Sequence, residues 1–307
     1  MLLVITITAI VLIFTAVDLL MLRRKTPQPT PRERGTIRTP DGYTIDINIF
    51  NPEVPTAAAV FAHGGCFHDG DYTTHPAVSE ALASIGVASV SSSYRQGASY
   101  PHPMAQRDLA VVAEFVRKRW PDLPFGIVGS SSGGWHALML SRSLPDVRFC
   151  IALCPVAHPL RRATYLKACI EGQAAASGYA VLHPPATAKA MLEKQTGYWG
   201  SEDAMAAAGE ALLSAPTQRV PTMMVLGSHD KNVPQNVTAG VQGWADRTLV
   251  LGGCGHEIQD TPPARNSWVP DVKHFVEDNV LSAAAQQRHV ASATLPRRWK
   301  RAPIAKE

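Results

Sequence analysis

The segment at residues 129–134, Gly-Ser-Ser-Ser-Gly-Gly, is the first place where the chain could do chemistry. Ser131 stands at the centre of a G-x-S-x-G pattern, with Gly129 two positions before it and Gly133 two positions after it. A strand-like run, GIV, precedes the pattern and a helix-like run, WHALMLSRSL, follows it. A serine on a sharp strand-to-helix turn is exposed as a nucleophile, and the positive end of the helix faces developing negative charge. We therefore predict that Ser131 is a nucleophile.

A segment rich in glycine and serine could instead bind phosphate or form a plain turn. A phosphate-binding P-loop needs a lysine after its glycines, and a dinucleotide site needs the spacing G-x-G-x-x-G. Residues 129–134 have neither feature. The pattern therefore favours a nucleophile over a phosphate site.

A serine hydroxyl becomes a good nucleophile only when a base takes its proton and an acid orients that base. In the G-x-S-x-G arrangement the acid and then the histidine follow the serine along the chain. Asp230 follows the apolar run 221–227, and His256 follows the apolar run 247–253. We predict Asp230 as the acid and His256 as the base. The alternatives are His229 for the base, and Glu202 or Asp203 for the acid.

The sequence HGGCF at residues 63–67 follows another apolar run and could supply hydrogen-bond donors. Glycine permits the backbone angles that turn neighbouring N–H groups toward one oxygen, which is what an oxyanion hole requires. We predict that the N–H groups of Gly65 and Cys66 form this hole and that Ser132 adds a donor from the serine turn. The residues assigned to the support of the two turns are His63, Gly64, Gly129 and Gly133.

Histidine and aspartate are frequent in the segment after residue 62, which raises a metal site as an alternative. The candidate ligands are His63, His68, Asp69, Asp71 and His75. Their spacing matches no recognised zinc pattern, and a metal site would leave the glycine pair without a role. We predict no metal and no organic cofactor.

Short apolar runs alternate with helical segments, and this alternation must position the candidate residues. Such runs suit parallel strands that are buried on both faces. Residues 104–119 place Leu109 and Val112 on one face with Arg and Lys opposite, as an amphipathic helix requires. The alternation predicts a doubly wound sheet whose site lies beyond the carboxyl ends of the strands. The predicted strands cover residues 44–50, 57–63, 87–94, 124–130, 149–155, 221–227 and 247–253.

Changes in this rhythm indicate the domain organisation. We predict a catalytic domain over residues 36–283. Within it, residues 158–216 form an Ala-rich helical stretch that we interpret as a cap over the site. Residues 284–307 are predicted to be a basic flexible tail.

The beginning of the chain is apolar. Residues 2–22 contain three Thr and Asp18 but are otherwise apolar, and at ~1.5 Å per residue a helix of this length reaches about 31 Å, enough to cross a bilayer. A cleaved signal peptide, the alternative, has a positive start, a shorter apolar stretch and a small-residue cleavage site. We predict a single-pass membrane anchor over residues 1–25 and a Pro-rich linker over residues 26–35. Basic residues follow the anchor, so the positive-inside rule favours a cytosolic catalytic domain.

Charge and cysteine usage exclude other classes. The net charge of +4 comes mainly from basic residues near the two ends of the chain. A nucleic-acid-binding face would instead cluster Lys and Arg across the folded surface, so we predict no nucleic-acid partner. The five cysteines are odd in number and have no C-x-x-C spacing, which indicates free thiols.

Taken together, these motifs resemble the α/β-hydrolase fold, in particular the esterase/lipase group with an HGG-x-aromatic motif, which includes kynurenine-formamidase-like enzymes. The resemblance spans about residues 36–283. It implies an eight-stranded, mostly parallel sheet with a small helical cap. Two positions depart from the common pattern, since Cys66 replaces a glycine and Ser93 replaces an aspartate. The matching segments are 63–67, 93–96, 100–108, 129–134, 227–234 and 253–257.

The resemblance and the candidate residues together imply acyl transfer. Ser131 attacks a carboxylic ester, His256 takes and returns the proton, and Asp230 holds the imidazole. We expect a small or medium-sized acyl substrate. The alternatives are a thioesterase or arylformamidase on the same triad, and a catalytically inactive, membrane-tethered binding module. Nothing in the sequence indicates the oligomeric state. The apolar cap residues that favour an acyl substrate are Met205, Leu212 and Leu213.

Overall fold

The computed structural model describes residues 33–179, 182–214 and 219–294. Strands and helices alternate along this part of the chain, as predicted. The strands are β1 (Glu33–Arg38), β2 (Thr44–Phe50), β3 (Ala57–Ala62), β4 (Val87–Ser92), β5 (Phe125–Ser130), β6 (Val147–Leu153), β7 (Thr222–Gly227) and β8 (Arg247–Leu251). The helices are α1 (Pro76–Ser84), α2 (Met104–Arg119), α3 (Ser132–Ser143), α4 (Pro159–Ile170), α5 (Pro185–Trp199), α6 (Glu202–Leu213), α7 (Gln235–Gln242) and α8 (Pro262–Thr294).

All eight strands belong to one sheet, in the order β1-β2-β4-β3-β5-β6-β7-β8. Strand β2 is antiparallel to both of its neighbours, β1 and β4. The other six strands, β3 to β8 in chain order, are parallel to one another. The prediction of an eight-stranded, mostly parallel sheet is therefore confirmed. Parallel neighbours leave their carboxyl ends at one edge, which is where an α/β sheet carries its ligand site.

The sheet separates two hydrophobic cores. Because side chains alternate along a strand, Val60 of β3 belongs to one core and the next residue, Phe61, belongs to the other. Leu109 of α2 packs into the first core, and Trp268 of α8 packs into the second. Helices therefore cover both faces, and this explains why the central strands are apolar at consecutive positions.

Three helices, α4, α5 and α6, lie between β6 and β7, where a helical cap is predicted, and they are called the cap below. Two of its apolar residues, Met205 and Leu212, are fully buried in the first core. The cap is tied to α3 through polar contacts as well, because the Trp135 indole N–H donates to the Ala208 carbonyl at 3.3 Å. Met205 and Leu212 thus help to pack α6 into the first core.

Strand β1 was not among the predicted strands. It begins at Glu33, so residues 33–35 of the predicted linker are part of the sheet. Strand β1 pairs antiparallel with β2, for example Ile37 with Ile45. It lies at the edge of the sheet and most of its positions are exposed. An exposed edge strand needs no apolar run, so the sequence ERGTIR lacks the signal that identifies the central strands.

The predictions for the two ends of the chain have different outcomes. The last helix runs to Thr294, so residues 284–294 of the predicted flexible tail are helical. Among residues 33–179, 182–214 and 219–294, no helix is long and apolar enough to span a bilayer. The predicted anchor over residues 1–25 lies outside the described residues and stays a prediction.

A buried ion pair joins the first turns of the sheet to α2. Arg95, which follows β4, is only 8% exposed. Its guanidinium contacts the fully buried Asp108 of α2 at 2.7 Å and Asp41, in the turn between β1 and β2, at 2.6 Å. The hydrogen bond from Arg95 holds the pKa of Asp41 well below its ordinary value. The backbone N–H of Arg95 also donates to Asp108 at 2.8 Å, so this carboxylate is doubly fixed.

We expect Arg95→Met to lower the free energy of unfolding by about 3–5 kcal/mol, because it leaves the Asp108 charge buried without its cation. Arg119→Met is the matched control, since Arg119 pairs with Glu33 on the surface and should cost at most about 1 kcal/mol. Urea unfolding of the full-length variants measures both values. Equal losses in the two variants would contradict this account of Arg95.

Candidate active site

Ser131 lies in a strained turn between β5 and α3. Its backbone angles are φ 55° and ψ −119°, a combination that L-residues rarely adopt. The surrounding backbone holds it there: the Ser131 N–H donates to the Leu153 carbonyl at 2.9 Å, and the Ser131 carbonyl accepts from Val156 at 3.0 Å. Strain that is held in this way is typical of functional sites. The turn has the geometry of the predicted nucleophile elbow.

Gly133 allows the elbow to approach β3. A Cβ atom at this position would lie 2.2 Å from the carbonyl oxygens of both Ala62 and His63. Backbone atoms cannot move away as a flexible side chain would, so only glycine fits. The start of α3 can therefore lie directly against the end of β3, which brings Ser131 next to the loop that follows β3.

The structure brings the three residues predicted as nucleophile, base and acid into one hydrogen-bonded chain. His256 Nε2 lies 3.0 Å from Ser131 Oγ, and His256 Nδ1 lies 2.7 Å from Asp230 Oδ2. Asp230 follows β7 and His256 lies in the loop after β8, while the serine follows β5. The carboxyl ends of three parallel strands thus supply the three side chains.

Asp230 is held as an ionised acceptor. Its carboxylate is 4% exposed, and Oδ1 accepts the backbone N–H groups of Asn232 and Val233, each at 2.8 Å. Burial alone would raise the pKa of Asp230, but the charge of His256 and hydrogen bonds from His256, Val233 and Asn232 lower it overall. An ionised carboxylate accepts the proton on His256 Nδ1, so Nε2 is left free to accept the serine proton.

A thiol that the sequence analysis left without a role lies beside this pair. Cys154 follows β6, has φ 43°, and places Sγ within 4.8 Å of ligand-type atoms of Asp230 and His256. Burial, together with the charge of Asp230, raises the pKa of Cys154 well above its ordinary value. A protonated thiol is a poor nucleophile and a poor metal ligand. Its place at a strand end is the signal that could have drawn attention to it.

The loop after β3 presents the predicted oxyanion donors. Gly65 has φ 137° and Cys66 has φ 55°, so two consecutive residues of this loop have positive φ. The N–H groups of Gly65, Cys66 and Ser132 meet no hydrogen-bond acceptor among the described residues. A Cβ atom at Gly64 would lie 3.0 Å from Ser131 Cβ, which shows how closely the loop touches the elbow. Free donors thus surround the serine.

His63 packs against this loop from the protein interior. It is fully buried, its Nδ1 lies 2.7 Å from the Gly64 carbonyl, and its ring stacks on Tyr94 with centroids 4.2 Å apart. Tyr94 in turn donates from its hydroxyl to the His63 carbonyl at 2.6 Å. Burial lowers the pKa of His63 to about 4, so the ring is neutral at pH 7. This packing agrees with a supporting position and not with a metal ligand.

The alternative acid and base residues lie elsewhere. His229 is exposed, and its Nδ1 lies 2.8 Å from Ser228 Oγ. Glu202, in the first turn of α6, pairs with Lys167, and the neighbouring Asp203 is exposed. Asp230 and His256 are therefore the residues that reach Ser131.

The five residues weighed as metal ligands do not form a cluster within the described part of the chain. His68 pairs with Asp69, and Asp71 accepts from the N–H of Thr73. His75 joins a different group, with its Nδ1 2.7 Å from Asp260 and with Glu257 nearby. Exposed carboxylates dominate that group, and nothing in the described residues points to a bound ion there.

Comparison with known proteins identifies the family. Residues 59–239, more than half of the chain, match the sequence model of the alpha/beta hydrolase fold. The chain belongs to this family, so the predicted resemblance to the α/β-hydrolase fold is confirmed. No curated protein matches the chain.

Solved structures of esterases share this fold. An esterase from Pyrobaculum calidifontis is 18% identical, with a TM-score of 0.65 over 84% of this chain and 89% of that one. An esterase/lipase from an uncultured bacterium is 18% identical, with a TM-score of 0.63 over 81% and 85%. A thermostable carboxylesterase cloned from a metagenomic library is 18% identical, with a TM-score of 0.61 over 80% and 90%. At this identity the likeness shows the fold.

We expect Gly133→Ala to abolish the elbow geometry, because its Cβ would collide with two backbone carbonyls. The variant should be destabilised by several kcal/mol or fail to fold. Gly252→Ala is the control, since a Cβ there meets nothing within 4 Å and should change stability by at most about 1 kcal/mol. Thermal melting followed by circular dichroism compares them, and a Gly133→Ala protein with an unchanged melting temperature would refute the close contact.

Proposed function

We propose that this chain is a serine hydrolase that cleaves carboxylic esters. The observation that carries the proposal is the continuous hydrogen-bonded chain from Asp230 through His256 to Ser131, on a strained elbow beside free N–H donors. Each group has the position that its step in acyl transfer requires. A plain structural cluster would need neither the strained serine nor the unpaired donors.

The first half of the reaction forms an acyl-enzyme. Ser131 Oγ attacks the ester carbonyl carbon while His256 Nε2 takes the hydroxyl proton. The imidazolium that forms is stabilised by the ionised Asp230. The tetrahedral oxyanion accepts hydrogen bonds from the N–H groups of Gly65, Cys66 and Ser132. His256 then returns the proton to the leaving alcohol as the C–O bond breaks.

The second half repeats the chemistry with water. His256 Nε2 takes a proton from water, the hydroxide attacks the acyl carbon, and the same donors bind the second oxyanion. Collapse of this intermediate releases the carboxylic acid and returns the proton to Ser131 Oγ. The residues themselves supply every proton transfer in the cycle.

Open space lies beside the base. A cavity of about 530 Å³ is lined by His256 together with residues such as Lys231, Asn232 and Glu257, but not by Ser131 or the oxyanion loop, so the cavity does not define where an acyl group binds. Met205 and Leu212 are buried in the packing of the cap, so they do not support a particular acyl length. The proposal of a small or medium-sized acyl group rests on the likeness to esterases.

Thioesters and arylformamides pass through the same tetrahedral intermediate and are the alternative substrates on this triad. A membrane-tethered binding module is the alternative from a different class. A module of that kind would need neither an ordered triad nor an oxyanion loop, so the geometry favours an enzyme.

The proposal includes attachment to a membrane through the predicted anchor over residues 1–25, with the catalytic domain in the cytosol. It rests on the apolar sequence and on the basic residues that follow it. We expect the full-length chain to sediment with membranes and to need detergent for release. Protease protection of sealed vesicles then reports the side, and recovery of the whole protein in the soluble fraction would refute the anchor.

We expect Ser131→Ala to reduce turnover of p-nitrophenyl esters by at least about 10³-fold, since it removes the nucleophile. The assay uses the full-length chain in detergent and acyl groups from acetate to decanoate. Ser130→Ala is the matched control, because Ser130 Oγ is buried and has no hydrogen-bond partner among the described residues. A fluorophosphonate should label the wild type and Ser130→Ala but not Ser131→Ala.

Other outcomes would redirect the proposal. Faster turnover of acyl thioesters or arylformamides than of matched esters would change the substrate class but keep the triad. A folded wild type with neither turnover nor fluorophosphonate labelling would favour the binding module.

A further inference from the structure

A buried arginine of the cap reaches the oxyanion loop. Arg162, on α4, is 1% exposed. Its Nη2 donates to Cys66 Sγ at 3.4 Å and contacts Met191 Sδ at 3.6 Å. Its Nε donates to the Asn232 carbonyl at 2.9 Å, and its Nη1 donates to Gln195 Oε1 at 2.8 Å. None of these acceptors is a carboxylate.

Arg162 differs in this respect from Arg95, the other strongly buried arginine described above. Arg95 contacts two carboxylates, whereas no carboxylate of the described residues forms an ion pair with Arg162. A buried charge without a partner is costly to stability. The guanidinium of Arg162 therefore lies in the interior without a carboxylate in direct contact among the described residues.

The contacts of Arg162 connect two parts of the proposed site. Cys66 supplies one of the oxyanion N–H donors and holds φ 55°, a conformation that favours glycine. Asn232 donates its N–H to Asp230 Oδ1 at 2.8 Å, while its carbonyl accepts from Arg162. One guanidinium thus fixes both the oxyanion loop and the turn of the acid.

We propose that Arg162 is a positioning residue that keeps Cys66 in place and sets a fixed positive charge against the oxyanion loop. This inference rests on the proposed function, because the charge acts on the oxyanion of acyl transfer. Arg162 does not touch the substrate; it acts through Cys66. The side chain at Cys66, where the resembling family commonly has glycine, is what gives the guanidinium a point of contact.

The effect falls on the transition state more than on substrate binding. The ester carbonyl is neutral in the bound substrate, and a full negative charge develops on its oxygen only during attack. A fixed charge in a poorly hydrated interior is weakly screened, so it stabilises the charged state selectively. Arg162 should therefore contribute to kcat and leave KM almost unchanged.

Other cationic groups near Cys66 and Asn232 do not replace this charge. Lys194 of α5 pairs with the carboxylate of Asp69. His183 is hydrogen-bonded to Asn232, and burial lowers its pKa below the ordinary value, so it is neutral at pH 7. Arg162 is the cation in this group that is both buried and free of a carboxylate.

The test separates charge from shape in the full-length chain. Arg162→Met keeps a long flexible side chain without charge, Arg162→Gln keeps a hydrogen-bond donor without charge, and Arg162→Lys keeps the charge. We expect kcat for a p-nitrophenyl ester to fall about tenfold in the two neutral variants, less than the 10²–10³ lost with a direct oxyanion donor. KM should stay within about threefold, and Lys should restore most of kcat. Arg161→Met, one position earlier and partly exposed, should leave both constants unchanged.

A second measurement follows the anionic state directly. An alkylboronic acid adds to an active-site serine as a tetrahedral anion, so its inhibition constant should rise about tenfold in the neutral variants and recover in Arg162→Lys. Melting temperatures from circular dichroism show which variants are folded, and the ranking of Lys against the neutral variants is read among those. Equal kcat values and equal boronate affinity in folded Lys, Met and Gln variants would overturn the inference. A wild type without turnover would overturn the proposed function instead, and this inference with it.

Discussion

The close backbone approach between the serine elbow and the end of β3 is the constraint on which the site depends. Gly133 lies against the carbonyl groups of Ala62 and His63 with no room for a side chain. This contact joins a strained nucleophile to a loop of free N–H donors without any side chain between them. The acid and the base follow β7 and β8, two adjacent strands that end at the same edge of the sheet as β5. The arrangement follows from parallel strands, because their carboxyl ends lie at one edge of the sheet.

The fold could be predicted from the sequence wherever burial leaves a continuous apolar run. Strand β2 and helix α2 begin and end at the predicted residues. The edge strand β1 could not be found in this way, since exposure removes the pattern, and residues 284–294 were too polar to separate a helix from a tail. The secondary structure of such segments depends more on the elements that they pack against than on their own amino-acid propensities.

The candidate site divides along the same line. Ser131, Asp230 and His256 could be predicted because each follows a strand and has a chemically distinctive side chain. Cys154 also follows a strand, but its type does not mark it as part of a triad, and the role of Arg162 depends on contacts between distant parts of the chain. Arg162 meets Cys66, 96 positions earlier, and Gln195, 33 positions later. No local sequence motif predicts these side-chain contacts, because they form only when the cap folds against the oxyanion loop.

The position of His256 after an edge strand has a consequence for how activity is lost when the protein begins to unfold. His256 lies in the loop after β8, an edge strand whose residues are mostly exposed, while Ser131 follows the fully buried β5. Outer strands open at a lower free energy than the centre of a sheet. Fraying at this margin would withdraw the imidazole while the interior stays intact. Loss of the base through such local opening needs less free energy than unfolding of the central strands.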